Sequence, residues 1–134
     1  MAVELDYAFL ADYATVENGK LTAVGASFIT IAAPTTPFHR AISIAGRVRL
    51  TENEEGFQLG IAISSPNDEW RADFGGYLEG TQPQNYDGKQ GVLFALQSTV
   101  PLPTPGLYAV DLTLNGAPVR TLKFDVVTPQ CSDS

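Results

Sequence analysis

Tyr108-Ala109-Val110-Asp111-Leu112-Thr113-Leu114-Asn115-Gly116 is the stretch that decides the fold. Tyr108, Val110, Leu112 and Leu114 alternate with Ala109, Asp111 and Thr113, the period of a strand with one buried face. Asn115-Gly116 follows at once, and a two-residue type I′ turn favours that dipeptide because both central residues need positive φ. The return strand sets Leu122, Phe124 and Val126 on one side and Thr121, Lys123 and Asp125 on the other. Pro118 stands near its start, where a missing amide costs least.

The same period runs back along the chain. Ile42, Ile44, Val48 and Leu50 oppose Ser43, Arg47 and Arg49. After the polar turn from Glu52 through Asn53, Glu54 and Glu55 to Gly56 come Phe57, Leu59, Ile61 and Ile63. A Ser65-Pro66-Asn67-Asp68 turn leads to Trp70, Ala72 and Phe74, with Arg71 and Asp73 opposite. Beyond a loop rich in Gly, Gln, Asn and Pro from Gly80 to Gly91, Val92, Phe94 and Leu96 resume an inward row that ends near Leu102.

The first third admits two readings. Leu5 to Val16 holds Tyr7, Phe9 and Tyr13 at period 2, while Val3, Leu10 and Ala14 also fit a helix face. Asn18-Gly19 favours a hairpin, because the Thr-, Val-, Ile- and Phe-containing run that follows needs a partner. That run, Lys20–Ile31, is apolar on both faces, as in a central strand or an oligomer contact.

These segments predict an all-β fold, an antiparallel β-sandwich of about eight strands with regular turn spacing. Pro101-Leu102-Pro103-Thr104-Pro105-Gly106, then Leu107-Tyr108, resembles the tyrosine corner of immunoglobulin-like sandwiches, so Tyr108 is expected to be structural. One domain is expected over 1–127, with a polar tail over 128–134.

Several segments together resemble a family of small bacterial proteins known only as a domain of unknown function. They are Phe9-Leu10-Ala11-Asp12-Tyr13-Ala14, Asn18-Gly19-Lys20-Leu21 with Val24-Gly25, Pro34 to Phe38, and Ile42–Leu50. Leu102, Pro105-Gly106, Tyr108 and Asn115-Gly116 continue the match. Where that family often carries a Gly-Gly-Gly run, this chain has Gly25-Ala26-Ser27. The resemblance implies a fold and attaches no activity, cofactor or catalytic residue.

Composition narrows the function. The 134 residues are 44% hydrophobic, enough for one continuous core. With 15 acidic and 8 basic residues the net charge is -7, from which we expect neither nucleic acid nor anionic membrane as partner. Met1 to Tyr7 lacks a positively charged n-region followed by an apolar run, giving a cytoplasmic expectation. Cys131, the single cysteine, cannot form an internal disulfide.

Candidate chemistry is sparse. His39 is the one histidine, with no nucleophile frame around it, and with Cys131 it cannot supply a zinc set. No cofactor, metal site or catalytic residue is expected, and the chain is read as a non-enzyme. Asp12 interrupts an apolar run and is read as structural, accepting amides beyond Val16 or pairing with a cation such as Lys20; the alternative is a general acid/base. Tyr13, Asn115 and Gly116 are likewise read as structural. Tyr77, Gln82, Asn85 and Tyr86 have the amphipathic aromatic and amide chemistry of contact surfaces. The resulting expectation is a protein-interaction or self-assembly module, engaging a protein partner or its own copy. The alternative is a small-ligand or calcium binder using Glu52, Glu54, Glu55, Asp68, Glu69 and Asp87 in the turns.

Overall fold

The hairpin from Tyr108 to Val126 forms as the alternation requires. In a computed structural model describing residues 3–34, 38–51, 55–68, 70–79, 84–86 and 88–128, β10 (Gly106–Leu114) pairs antiparallel with β11 (Ala117–Val127). Asn115 and Gly116 turn the chain with φ of 50° and 84°. Asn115 also ties the turn to its neighbour: its amide donates to the Gln58 carbonyl at 2.8 Å, and its Oδ1 accepts from the Gln58 amide at 2.9 Å.

The other strands are β1 (Val3–Ala11), β2 (Tyr13–Glu17), β3 (Lys20–Val24), β4 (Thr30–Ala32), β5 (Phe38–Thr51), β6 (Gly56–Ser64), β7 (Arg71–Glu79), β8 (Gln84–Tyr86) and β9 (Lys89–Leu102). They form a four-stranded sheet ordered β1-β5-β9-β8, a five-stranded sheet ordered β4-β11-β10-β6-β7, and a separate β2-β3 pair. The fold is therefore all-β with several sheets. The expectation of about eight antiparallel strands gives way to eleven among the described residues, one pair of which, β4 with β11, is parallel.

One core joins the two larger sheets. Ile42, Ile44, Val48 and Leu50 of β5 meet Leu59, Ile61, Val110 and Leu112 of the opposite sheet, all of them buried. Each such side chain removed from water contributes about 1.5–3 kcal/mol. The apolar row of β5 skips Gly46, and the reason lies across the ladder. A Cβ there would run into the Tyr7 carbonyl of β1 and meet the Phe94 ring of β9 at 2.9 Å, so both neighbouring strands close over the place that Gly46 leaves.

The first third departs most from expectation. The chain bends at Asp12, which separates β1 from β2, and the Asn18-Gly19 hairpin then lies over the outer face of β5 and β9. Small side chains permit that close approach: Ala11, Ala14 and Ala45 are buried together, and the Ala14 amide donates to Ser43 Oγ at 3.2 Å. The expected two-faced strand over Lys20–Ile31 is two pieces, β3 and β4. Gly25 and Ser27 have φ of 62° and 63°, which no strand tolerates, and they turn the chain from the hairpin to the five-stranded sheet. Val24 is 58% exposed and Ile29 73%, so this segment is not covered on both faces.

Tyr108 is fully buried against Phe124, with ring centroids 5.2 Å apart. Its hydroxyl donates to the Thr104 carbonyl at 2.7 Å.

Candidate interaction site

A strand at the border of a sheet leaves one row of backbone groups unpaired, and proteins usually block such rows with prolines, bulges, charges or a covering element. The borders here differ in how well they are blocked. β11 has β4 beside it only at Asp125–Val127; its remaining length carries Pro118, a register shift between Leu112 and Thr113 that leaves Val119 unpaired, and the cations Arg120 and Lys123. β1 is interrupted by a shift between Leu5 and Tyr7, with Asp6 as its extra residue. The part of β9 beyond β8 contains Pro101 and has the β2–β3 hairpin against it.

β7 has no proline, no bulge and, among the described residues, no covering strand. Its nine residues pair with β6 without a register shift, from Gly56 opposite Glu79 to Ser64 opposite Arg71, and no second strand among the described residues pairs with it. Alternation continues to its end, with Arg71, Asp73, Gly75, Tyr77 and Glu79 exposed and Ala72, Phe74, Gly76 and Leu78 half-buried. Charges stand at its ends, where Arg71 Nε lies 3.3 Å from Asp73 Oδ1, while Phe74 to Leu78 carries none.

Beside the uncharged stretch the two sheets part. An opening of about 170 Å³ is lined by Leu59, Phe74, Gly75, Gly76, Leu78 and Leu96. An open backbone row next to an apolar opening is what an added strand needs, the first for hydrogen bonds and the second for alternate side chains. Gly56 shapes the same surface: a Cβ there would meet the Tyr77 ring at 2.8 Å, so glycine lets Tyr77 lie across β6. At Gly76 nothing lies within 4 Å of a Cβ, so that position has room.

Of the residues singled out from sequence, Tyr77 lies on this strand and is 54% exposed. Gln82 lies outside the described residues, and Asn85 and Tyr86 belong to β8, opposite Gln90 and Lys89. Asp12 is not buried. Its side chain is 46% exposed and pairs with Arg40 of β5 rather than with Lys20 or the amides beyond Val16, and it lies against Gly25. Tyr13 stands on the hairpin opposite Val24. His39 is exposed on β5, opposite Pro101. Of the acidic turn residues, Glu52, Glu54, Glu69 and Asp87 lie outside the described residues, as does Cys131; Glu55 and Asp68 are exposed. From the sequence, Phe74 was placed only on one face of a strand with Trp70 and Ala72, and Leu96, Arg71 and Glu79 were passed over as parts of a site. The signal was present in the alternation of Trp70 to Phe74, but alternation does not say whether a strand is central or outermost.

A second surface gathers cations. On the outer face of the four-stranded sheet, Arg47 pairs with Asp6 and lies 5.1 Å from the Tyr7 ring centroid. Lys89 Nζ is 2.7 Å from Glu4 Oε1, and its hydrogen bond, then its charge, hold the Glu4 carboxyl below its ordinary value. Arg49 stands opposite Glu4 in the ladder.

The chain matches a family described as of unknown function (DUF6941) over residues 6–127. No curated protein matches it. Among solved structures it is similar to the Pseudomonas fluorescens alkylpurine DNA glycosylase AlkC bound to DNA containing an abasic site analog, with a TM-score of 0.53 and 11% identity, over 95% of this chain and 31% of that one. The chain thus spans about a third of that protein, and at this identity the likeness concerns the fold. It does overturn the exclusion of nucleic acid drawn above from net charge. A similar fold occurs in a protein held on DNA, and a total of -7 says nothing of where the cations Arg47, Arg49 and Lys89 lie. Among the described residues, no helix is long and apolar enough to cross a membrane.

Proposed function

The chain belongs to DUF6941, a family of unknown function, and on that footing we propose that it is a non-enzymatic interaction module working by strand addition at β7. The observation that carries this reading is the contrast between β7 and the other borders: nine residues in unbroken register, beside an apolar opening, with no block in the middle. The same reading takes the two larger sheets as an immunoglobulin-like sandwich with an added hairpin, supported by the Tyr108 bond to Thr104.

The test uses decapeptides selected by display against the full chain. Their addition is expected to shift backbone NMR resonances along β7 and β6 and at Leu96. Gly76→Lys should keep the fold, because that position has room, and weaken peptide binding about tenfold or more by placing a charge at the opening. Shifts confined to the hairpin or to the outer face of the four-stranded sheet would reject the reading.

A second reading is nucleic-acid binding on the face bearing Arg47, Arg49 and Lys89, favoured by the likeness to a DNA-bound protein. Three features place it second: the likeness concerns the fold, Asp6 and Glu4 already pair with two of these cations, and the chain is acidic overall. Binding of labelled duplex DNA that weakens steeply with salt and is lost in Arg47→Ala would raise it above the first. No binding at low salt would remove it.

A further inference from the structure

We propose that the strand added to β7 is the β7 of a second copy, antiparallel and related by a twofold axis at Gly75. This rests on the strand-addition reading and adds the partner and the register. In an antiparallel pair, directly opposed residues share a face, so two copies keep their buried faces aligned only when the axis passes through one residue of the strand.

The candidate centres differ in charge and overlap. An axis at Asp73 sets two Asp73 carboxylates opposite one another. An axis at Gly76 sets Asp73 opposite the partner's Glu79. Both place like charges face to face, which destabilises a strand pair. An axis at Phe74 shortens the overlap and leaves Glu79 without an opposed residue of the strand.

An axis at Gly75, the midpoint of Arg71–Glu79, lets the whole strand overlap. Arg71 then stands opposite the partner's Glu79, and by symmetry this pair forms at both ends. Asp73 meets the partner's Tyr77. On the half-buried side, Phe74 lies opposite the partner's Gly76 and Ala72 opposite the partner's Leu78, large against small each time. Such a contact is isologous and closes on itself, so it yields a dimer with one continuous sheet rather than a fibre.

Sedimentation velocity of the full chain over a series of concentrations tests this, with a thermal melt of each variant to confirm folding. The wild type is expected to pass from monomer to dimer. Arg71→Glu should raise the dimer dissociation constant by about tenfold or more, because it sets Glu opposite Glu at both ends. Adding Glu79→Arg should restore the dimer, a rescue that no structural role of either residue produces. A wild-type dimer unmoved by Arg71→Glu and by Gly76→Lys would overturn the proposal, since the contact would lie elsewhere. A wild type that stays monomeric while selected peptides still shift β7 would overturn the second copy and leave strand addition standing. A monomer whose selected peptides bind away from β7 would overturn both.

Discussion

Tyr108 shows what one buried hydroxyl contributes. Its ring packs on Phe124 while its oxygen satisfies the Thr104 carbonyl, so Tyr108→Phe should keep the packing and lower the unfolding free energy by about 1 kcal/mol in urea titrations. An unchanged midpoint would show that water replaces the hydroxyl at no cost. This contact was legible in the sequence because its partners lie four residues apart around a Pro-Gly corner. The partner of Asp12 was not legible: Arg40 is 28 residues away, and the two meet only once the chain has bent out of β1 toward the hairpin. Glu4 and Lys89, 85 residues apart, are a pair of the same kind. Lys89 lowers the Glu4 carboxyl below its ordinary value, so any stability the pair adds is fully present above that ordinary value and is lost as pH falls through the lowered one. In Lys89→Met the Glu4 midpoint, followed by carbon-detected NMR, should rise toward the ordinary value. A midpoint that stays put would mean the pair is rarely formed in solution.

Strands were easier to read than their neighbours. Period-2 alternation marks which face of β5, β6 or β10 turns inward, but it is blind to what lies beside a strand, and so the open border at β7 emerged only from the sheet order. Lys20–Ile31 misled for a different reason. Its Val, Phe and Ile content suits a strand, while the break depends on positive φ at Gly25 and Ser27, and serine gives no sign of that conformation. The hairpin formed by β2 and β3 rests on the outer face of β5 through alanines, which sets a tight limit on volume. Ala45→Leu should therefore cost about 1–3 kcal/mol through overpacking, measured as a lower urea midpoint, with the losses in amide protection concentrated in β2 and β3. A loss spread evenly over β10 and β11 would show instead that the hairpin and the core unfold together.

The pairing pattern governs how the chain finds its fold. β5 and β9 pair Phe38 with Leu102 and Thr51 with Lys89, so the longest ladder joins segments far apart in sequence. Closing such loops precedes any reward from the contacts, and refolding is expected on the scale of about milliseconds to seconds rather than microseconds in stopped-flow fluorescence. A microsecond phase carrying the full amplitude would contradict that. The parallel contact of β4 with β11 extends the same logic to synthesis. A ribosome delivers Thr30–Ala32 well before Ala117–Val127, and Asp125 to Val127 are the residues against which β4 lies. Until they emerge, Ile31 has no ladder to enter, and nothing joins β4 to β10. The five-stranded sheet is completed by the last strand to arrive, so a nascent chain halted before residue 117 carries an unfinished sheet and a bare apolar row, the state a chaperone is built to recognise.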